Sequence, residues 1–120
     1  MTLFNSGRFT LHSGAGTDWL IDCDALTDDD LAALAVVGAR LVAPYGAVDG
    51  VAYGGLRFAR MLRLYATEGP LLIADDVLTT GASMERQRSG REAKGVAIFA
   101  RGTPPPWVKA IFSVHPGIIT

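Results

Sequence analysis

The stretch Leu71-Leu72-Ile73-Ala74-Asp75-Asp76-Val77-Leu78-Thr79-Thr80-Gly81-Ala82-Ser83 constrains this chain more than any other. Its apolar start is short, follows Gly69-Pro70 and ends in two adjacent carboxylates, which suits a strand buried on both faces of a parallel sheet better than a helix. Such a strand delivers Asp75 and Asp76 to the C-terminal edge of the sheet. Beyond them, Thr79, Thr80, Gly81, Ala82 and Ser83 offer hydroxyls and unhindered backbone N–H groups just ahead of a helix. That helix turns its positive dipole end to the same edge, and a loop of this kind can wrap a phosphate. Carboxylates beside a phosphate repel it unless they serve another part of the same ligand, such as ribose hydroxyls or a bound Mg²⁺. A sugar phosphate suits both ends. The bland alternative is a βα turn with a chance Asp-Asp and an N-capping Ser or Thr, but turn chemistry alone does not require this whole order.

These thirteen positions resemble the binding motif for 5-phosphoribosyl 1-diphosphate (PRPP) in type I phosphoribosyltransferases: a hydrophobic strand, two acidic residues, two apolar residues and a Thr/Ser/Gly loop. The resemblance implies that Asp75 and Asp76 hold the ribose hydroxyls, directly or through Mg²⁺, and that Thr79 to Ser83 hold the 5-phosphate. A second segment agrees with it. Ala47-Val48-Asp49-Gly50-Val51-Ala52 leads into Tyr53-Gly54-Gly55 and then a helical pattern through Leu56, Ala59, Leu62 and Tyr65, which reads as strand, glycine loop and helix. In the family such a loop holds the pyrophosphate of PRPP. Relatives tend to carry a lysine where Gly54 stands, and several hold a non-proline cis peptide in this loop. Arg57, Arg60 and Arg63 lie along one flank of the helix, with Leu56, Ala59 and Leu62 on its inner side; Arg57, nearest the glycines, is the one candidate phosphate contact of the three.

The N-terminal segment, Arg8 to Asp22, alternates apolar and polar residues around a glycine-containing turn, as a β-hairpin does. It is similar to the hood of orotate phosphoribosyltransferases, where Phe-Thr-Leu-x-Ser-Gly precedes a turn and an apolar strand ending in Asp. The resemblance puts Phe9, His12 and Ser13 on the base side of the site. His12 stands where relatives often have a lysine, so the contact there is weaker and pH-dependent. Gly14-Ala15-Gly16 is no dinucleotide fingerprint, because Trp19 replaces the third glycine and no buried strand precedes it. Thr27-Asp28-Asp29-Asp30 opens a helix carried by Leu31, Leu34, Ala35, Val37 and Leu41 and closed by Gly38 and Pro44; three acids at a helix start are a cap and solvated first turn rather than a metal site.

Tyr65-Ala66-Thr67-Glu68-Gly69-Pro70 joins the second helix directly to the Leu71 strand. Orotate phosphoribosyltransferases place two more strands here, and a mobile cationic loop that closes over the site. Without that lid, electrostatic stabilisation of the departing pyrophosphate and exclusion of water are both reduced. After the acidic motif come a helix over 84–91, a strand over 96–100, a Pro-rich turn (Arg101 to Trp107) with room for one helical turn, and a last strand over 110–114. His115, before Pro116-Gly117, reads as a surface residue.

Taken together, residues 1–120 read as one α/β domain with a small, mostly parallel sheet, strands near 48–52, 71–75, 96–100 and 110–114, helices on its faces and the hairpin as a hood. Right-handed crossovers would set both glycine loops at one edge. Eleven basic residues against twelve acidic ones give no electrostatic footprint for nucleic acid or an anionic membrane. The lone Cys23 cannot form an internal disulfide and the N-terminus lacks a signal-type apolar region, which together suggest the cytoplasm; no apolar run is long enough to span a bilayer, and Cys23 itself reads as a small buried hydrophobe. The resemblance implies a PRPP-dependent transferase of nucleotide metabolism, close to the orotate enzymes of pyrimidine biosynthesis, using Mg²⁺ and small-molecule substrates and forming a homodimer. The loss of the lid leaves a second reading, a protein that binds PRPP or a nucleotide without turnover.

Overall fold

The computed structural model describes the backbone of residues 2–10 and 16–114, and the side chains of 2–5 and 21–114. Strand β1 (Phe4–Thr10) runs antiparallel to β2 (Gly16–Ile21), pairing Phe4 with Ile21 and Thr10 with Gly16, with a register shift between Ser6 and Phe9. The chain then tightens into a 3₁₀ turn over Cys23–Ala25, where the Asp22 carboxylate accepts from the Asp24 N–H. Helix α1 (Asp28–Val42) opens with a reciprocal cap: Thr27 Oγ1 accepts from the Asp30 N–H and Asp30 Oδ2 from the Thr27 N–H. It runs through Gly38 rather than closing there. Gly38 is buried, and a Cβ on it would come within 3.2 Å of Phe58 in the next helix, so the small residue lets the two helices approach. Lys94 Nζ, donating to the carbonyls of Val42 and Pro44, closes the far end.

The main sheet contains β3 (Val48–Gly50), β4 (Leu71–Leu78), β5 (Ala93–Arg101) and β6 (Val108–Val114), side by side in that order and all parallel. Two of its strands are longer at their N-terminal ends than the apolar runs suggest, and β3 is shorter. β4 also continues past the acidic pair, so Asp75 and Asp76 are strand residues. Helix α2 (Gly55–Leu62) packs with α1 on one face, burying Phe58, Ala59 and Leu62 against Leu72, Ala74, Val96 and Ile98. Leu56, expected inside, is 41% exposed, because Phe58 and Gly55 take the sheet side instead. Helix α3 (Ala82–Arg88) lies on the other face, where Met84 meets Ile73, Ala97 and Val108. It ends at Ser89, short of the expected Arg91, in a left-handed cap.

The crossovers depart from the sequence expectation. The steps from β3 to β4 and from β4 to β5 go the same way across the sheet, yet α2 and α3 sit on opposite faces. The two connections therefore have opposite hands, and one is left-handed against the strong general preference. Residues 66–70 are all that separate the 3₁₀ turn at Arg63–Tyr65 from β4, so α2 is tied straight to the neighbouring strand. The Pro-rich segment forms no helical turn: the Val108 N–H bonds the Pro105 carbonyl in a turn, and Arg88 stacks over the Trp107 ring at 4.2 Å, fastening α3 to it. Among the described residues no helix is long and apolar enough to cross a membrane.

Candidate functional site

The C-terminal ends of β3, β4 and β5 open into a cleft of about 570 Å³, the size of a small-molecule site. Its walls bring together residues from five parts of the chain: Tyr53, Gly54 and Arg57; Asp75 and Asp76; Thr79 and Ser83; Asp22 to Asp24; and Arg101. Thr80, Gly81 and Ala82 line an adjoining hollow of about 20 Å³ that Asp75, Thr79 and Ser83 share. The acidic pair and the two loops thus converge, as their order in the sequence demands.

Asp75 is 7% exposed, the one buried charged residue among the described side chains. Burial pushes its carboxyl up to about 8, and the hydrogen bond and charge of Asp76 add to the shift. Burial thus favours the protonated form in the ligand-free cleft, and a cation beside the pair would favour the ionised one. The two carboxylates are oriented by the strand itself, since Asp75 Oδ1 accepts from the Asp76 N–H at 2.8 Å and Asp76 Oδ1 from the Val77 N–H at 2.7 Å. The strand amides thus hold one oxygen of each, and the Asp75 side chain also hydrogen-bonds Asp76.

In the loop that follows, Gly81 has φ 85°, a left-handed turn that a Cβ would strain, and it passes the chain into α3 without a side-chain cap. Thr80 Oγ1 accepts weakly from the Ala82 N–H at 3.3 Å. Across the cleft, the glycine loop is pressed against β4: a Cβ at Gly55 would come within 2.6 Å of the Ala74 carbonyl oxygen, and one at Gly54 within 2.0 Å of Asp76 Oδ2. The peptide between Ala52 and Tyr53 is cis, one bond before Tyr53-Gly54. Arg57 lines the cleft, but its Nη2 donates to the Leu26 carbonyl and to Asp28 Oδ1, both at 3.1 Å.

No protein-family model matches the sequence, and no curated protein matches it either. Solved structures do. The chain superposes on the orotate phosphoribosyltransferase from Aeropyrum pernix with a TM-score of 0.74 at 23% identity, over 92% of this chain and 88% of that one. It superposes on the orotate phosphoribosyltransferase of Mycobacterium tuberculosis H37Rv, solved with Fe(III) dicitrate, with a TM-score of 0.67 at 18% identity over 94% and 90%. The Francisella tularensis orotate phosphoribosyltransferase gives 0.62 at 18% identity over 92% and 80%. The chain has the type I phosphoribosyltransferase fold.

Within that fold, several cleft residues escaped the sequence motifs. Asp22, Cys23 and Asp24 reach the cleft because the hairpin returns the chain to the sheet edge; Arg101 does so because it ends β5. An apolar strand that finishes on a charged residue is the signal that points to Arg101. Cys23 is buried beside four carboxylates, and burial first, then the charges of Asp76, Asp22, Asp75 and Asp24, push its thiol up to about 12. His12, Ser13 and the side chain of Phe9 lie outside the described residues, so the hood's base contacts are not placed. His115 also falls outside them.

The donor set suits a cation completed by its ligand. Among the described residues no group of three or more His, Cys, Asp or Glu could hold a metal ion. Mg²⁺ characteristically keeps several waters and takes one or two carboxylates together with substrate oxygens. Asp75 and Asp76, which both line the cleft, would suit that role once ionised.

Proposed function

We propose that this chain binds PRPP together with Mg²⁺ and transfers its ribose 5-phosphate to a nitrogenous base with release of pyrophosphate. The convergence of the acidic pair, the hydroxyl loop and the glycine loop on one cleft carries this reading. Thr79 to Ser83 take the 5-phosphate through hydroxyls and backbone N–H groups. Asp75 and Asp76 receive the ribose hydroxyls. Tyr53-Gly54-Gly55 lies along the diphosphate, and the resemblance to the orotate enzymes' hood assigns the base contacts to Phe9, His12 and Ser13, whose side chains lie outside the described residues. In the transfer, the bond from ribose C1 to the diphosphate oxygen breaks with its electron pair leaving on pyrophosphate. A ring nitrogen then donates the pair for the new C–N bond and releases its proton to solvent. Bound Mg²⁺ supplies charge neutralisation of the diphosphate; the protein supplies placement of the two ends and the acceptor groups at the ribose.

The five-residue link over 66–70 favours a second reading, binding without turnover, because no segment there can close over the cleft. Pyrophosphate release from PRPP, measured with orotate and a panel of other bases beside calorimetry of PRPP and Mg²⁺, separates the two. Turnover with any base supports the transferase. Saturable PRPP binding with no pyrophosphate released would establish the binding protein, and no binding at all would defeat both.

A further inference from the structure

We propose that Asp28 is a charge brake on Arg57, and that through this pair the start of α1 sets how tightly the cleft holds the diphosphate end of its ligand. The inference rests on the PRPP reading, because it concerns the anion that would lie along Tyr53-Gly54-Gly55. Arg57 stands in the first turn of α2, just after that loop, and its side chain lines the cleft. Both of its hydrogen bonds use Nη2; among the described residues, Nε and Nη1 make none. The bond to the Leu26 carbonyl gives the guanidinium an anchor that does not involve Asp28. The remaining donors keep the geometry needed to meet an oxyanion.

Asp28 contributes little to that placement. Its side chain is 84% exposed and that of Arg57 40%, and an exposed ion pair of this kind is a weak tether. Nor does α1 need it as a cap, since Thr27 and Asp30 cap the helix reciprocally. What Asp28 does supply is a negative charge 3.1 Å from the guanidinium, which partly offsets its attraction for a second anion. The cleft can spare little cationic charge, because Asp22, Asp24 and Asp76 line it with Arg57 and Arg101. The Asp28 charge therefore acts on one of the few cations in reach of the glycine loop.

The test is a calorimetric titration of inorganic pyrophosphate with Mg²⁺, and separately of ribose 5-phosphate, against the wild type, Asp28→Asn, Arg57→Gln and the double variant. Asparagine keeps an acceptor for Nη2 but removes the charge. Asp28→Asn should bind pyrophosphate about fivefold more tightly, as expected for relieving a partly screened charge. Arg57→Gln should bind it about tenfold more weakly, as loss of a charge-assisted bond predicts. The double variant should match Arg57→Gln, and ribose 5-phosphate affinity should stay the same in all four. Unchanged or weaker pyrophosphate binding by Asp28→Asn overturns the proposal. So does tightening in the double variant relative to Arg57→Gln, which would mean that Asp28 acts on the anion without Arg57. A parallel loss of ribose 5-phosphate in Arg57→Gln would mark a structural role and overturn it too. Wild type that binds ribose 5-phosphate but not pyrophosphate defeats this inference and leaves the 5-phosphate site standing; wild type that binds neither defeats the PRPP reading itself.

Discussion

Gly54 and Asp76 touch so closely that a Cβ on the glycine would lie 2.0 Å from the Asp76 carboxylate. The Asp76 side chain is short and bonded to the Val77 N–H, so it can yield only by leaving the orientation that faces the ligand. Gly54→Ala should therefore cut ribose 5-phosphate affinity about tenfold, equivalent to about 1.4 kcal/mol. Asp76→Asn should do the same, and the double variant should lose no more than either alone, because both act on one carboxylate. Titration of the three variants checks this; a Gly54→Ala protein that binds like wild type sinks the argument. The lysine that relatives tend to carry at this position would meet the same obstacle.

Asp75 makes the stability of the ligand-free protein depend on pH in an unusual direction. Its carboxyl rises from 3.8 to about 8 on folding, so between those values the folded chain holds a proton that the unfolded chain has released. Stability then falls as pH rises through that window. Asp75→Asn stays neutral throughout and still accepts from the Asp76 N–H. In buffer with a chelator, the variant should gain melting temperature over wild type on going from pH 4 to pH 8. A difference between the two proteins that does not grow with pH would remove burial as the source of the shift.

The acidic pair, the hydroxyl loop and the glycine loop were all legible in the sequence because each is a contiguous word whose chemistry survives without tertiary context. The α/β class and the parallel sheet followed from the same runs, since Leu71 to Ala74 and Val96 to Ala100 show no alternation to suggest a solvated face. Arg57 was legible only in part: spacing put it on a polar flank near the glycines, and it does line the cleft, but its partners, Leu26 and Asp28, lie about thirty residues away in sequence and meet it only when α1 and α2 pack. Leu56 and Phe58 exchanged places for a similar reason, because an eight-residue helix has too few turns for periodicity to choose its inner side. The opposite hands of the two crossovers were hidden altogether. Handedness is a property of which face each helix takes, and no local pattern encodes it.

Cys23 should be inert toward thiol reagents in the folded protein. Its thiol, pushed up to about 12 and 7% exposed, leaves only about one molecule in 10⁴ as thiolate at pH 8. Labelling by an aromatic disulfide at pH 8 should be slow, then complete at once in denaturant. Asp76→Asn, which removes the largest of the four opposing charges, should speed it in the folded state. Rapid labelling of wild type without denaturant would show that the segment opens the cleft floor to solvent.

The connection that brings α2 directly to β4 leaves β3 as an edge strand, and Arg63 covers part of that edge. Within β3, Asp49 faces β4, so the carbonyl of Val48 points away from the sheet, where Arg63 donates to it from Nε at 3.2 Å and Nη2 at 2.7 Å. Nearby, Asp49 pairs with Arg91 at 3.3 Å. A cation over an open strand edge removes an acceptor that another chain could pair with. Arg63→Ala should lower stability by about 1 kcal/mol through loss of these bonds. It should also make the protein associate at concentrations where wild type keeps its oligomeric state, read by sedimentation velocity across a concentration series. Arg60→Ala, one turn earlier on the exposed flank of α2, is the matched control. If both variants sediment alike, the edge is guarded by something other than Arg63, and the loss of stability alone would not rescue the idea.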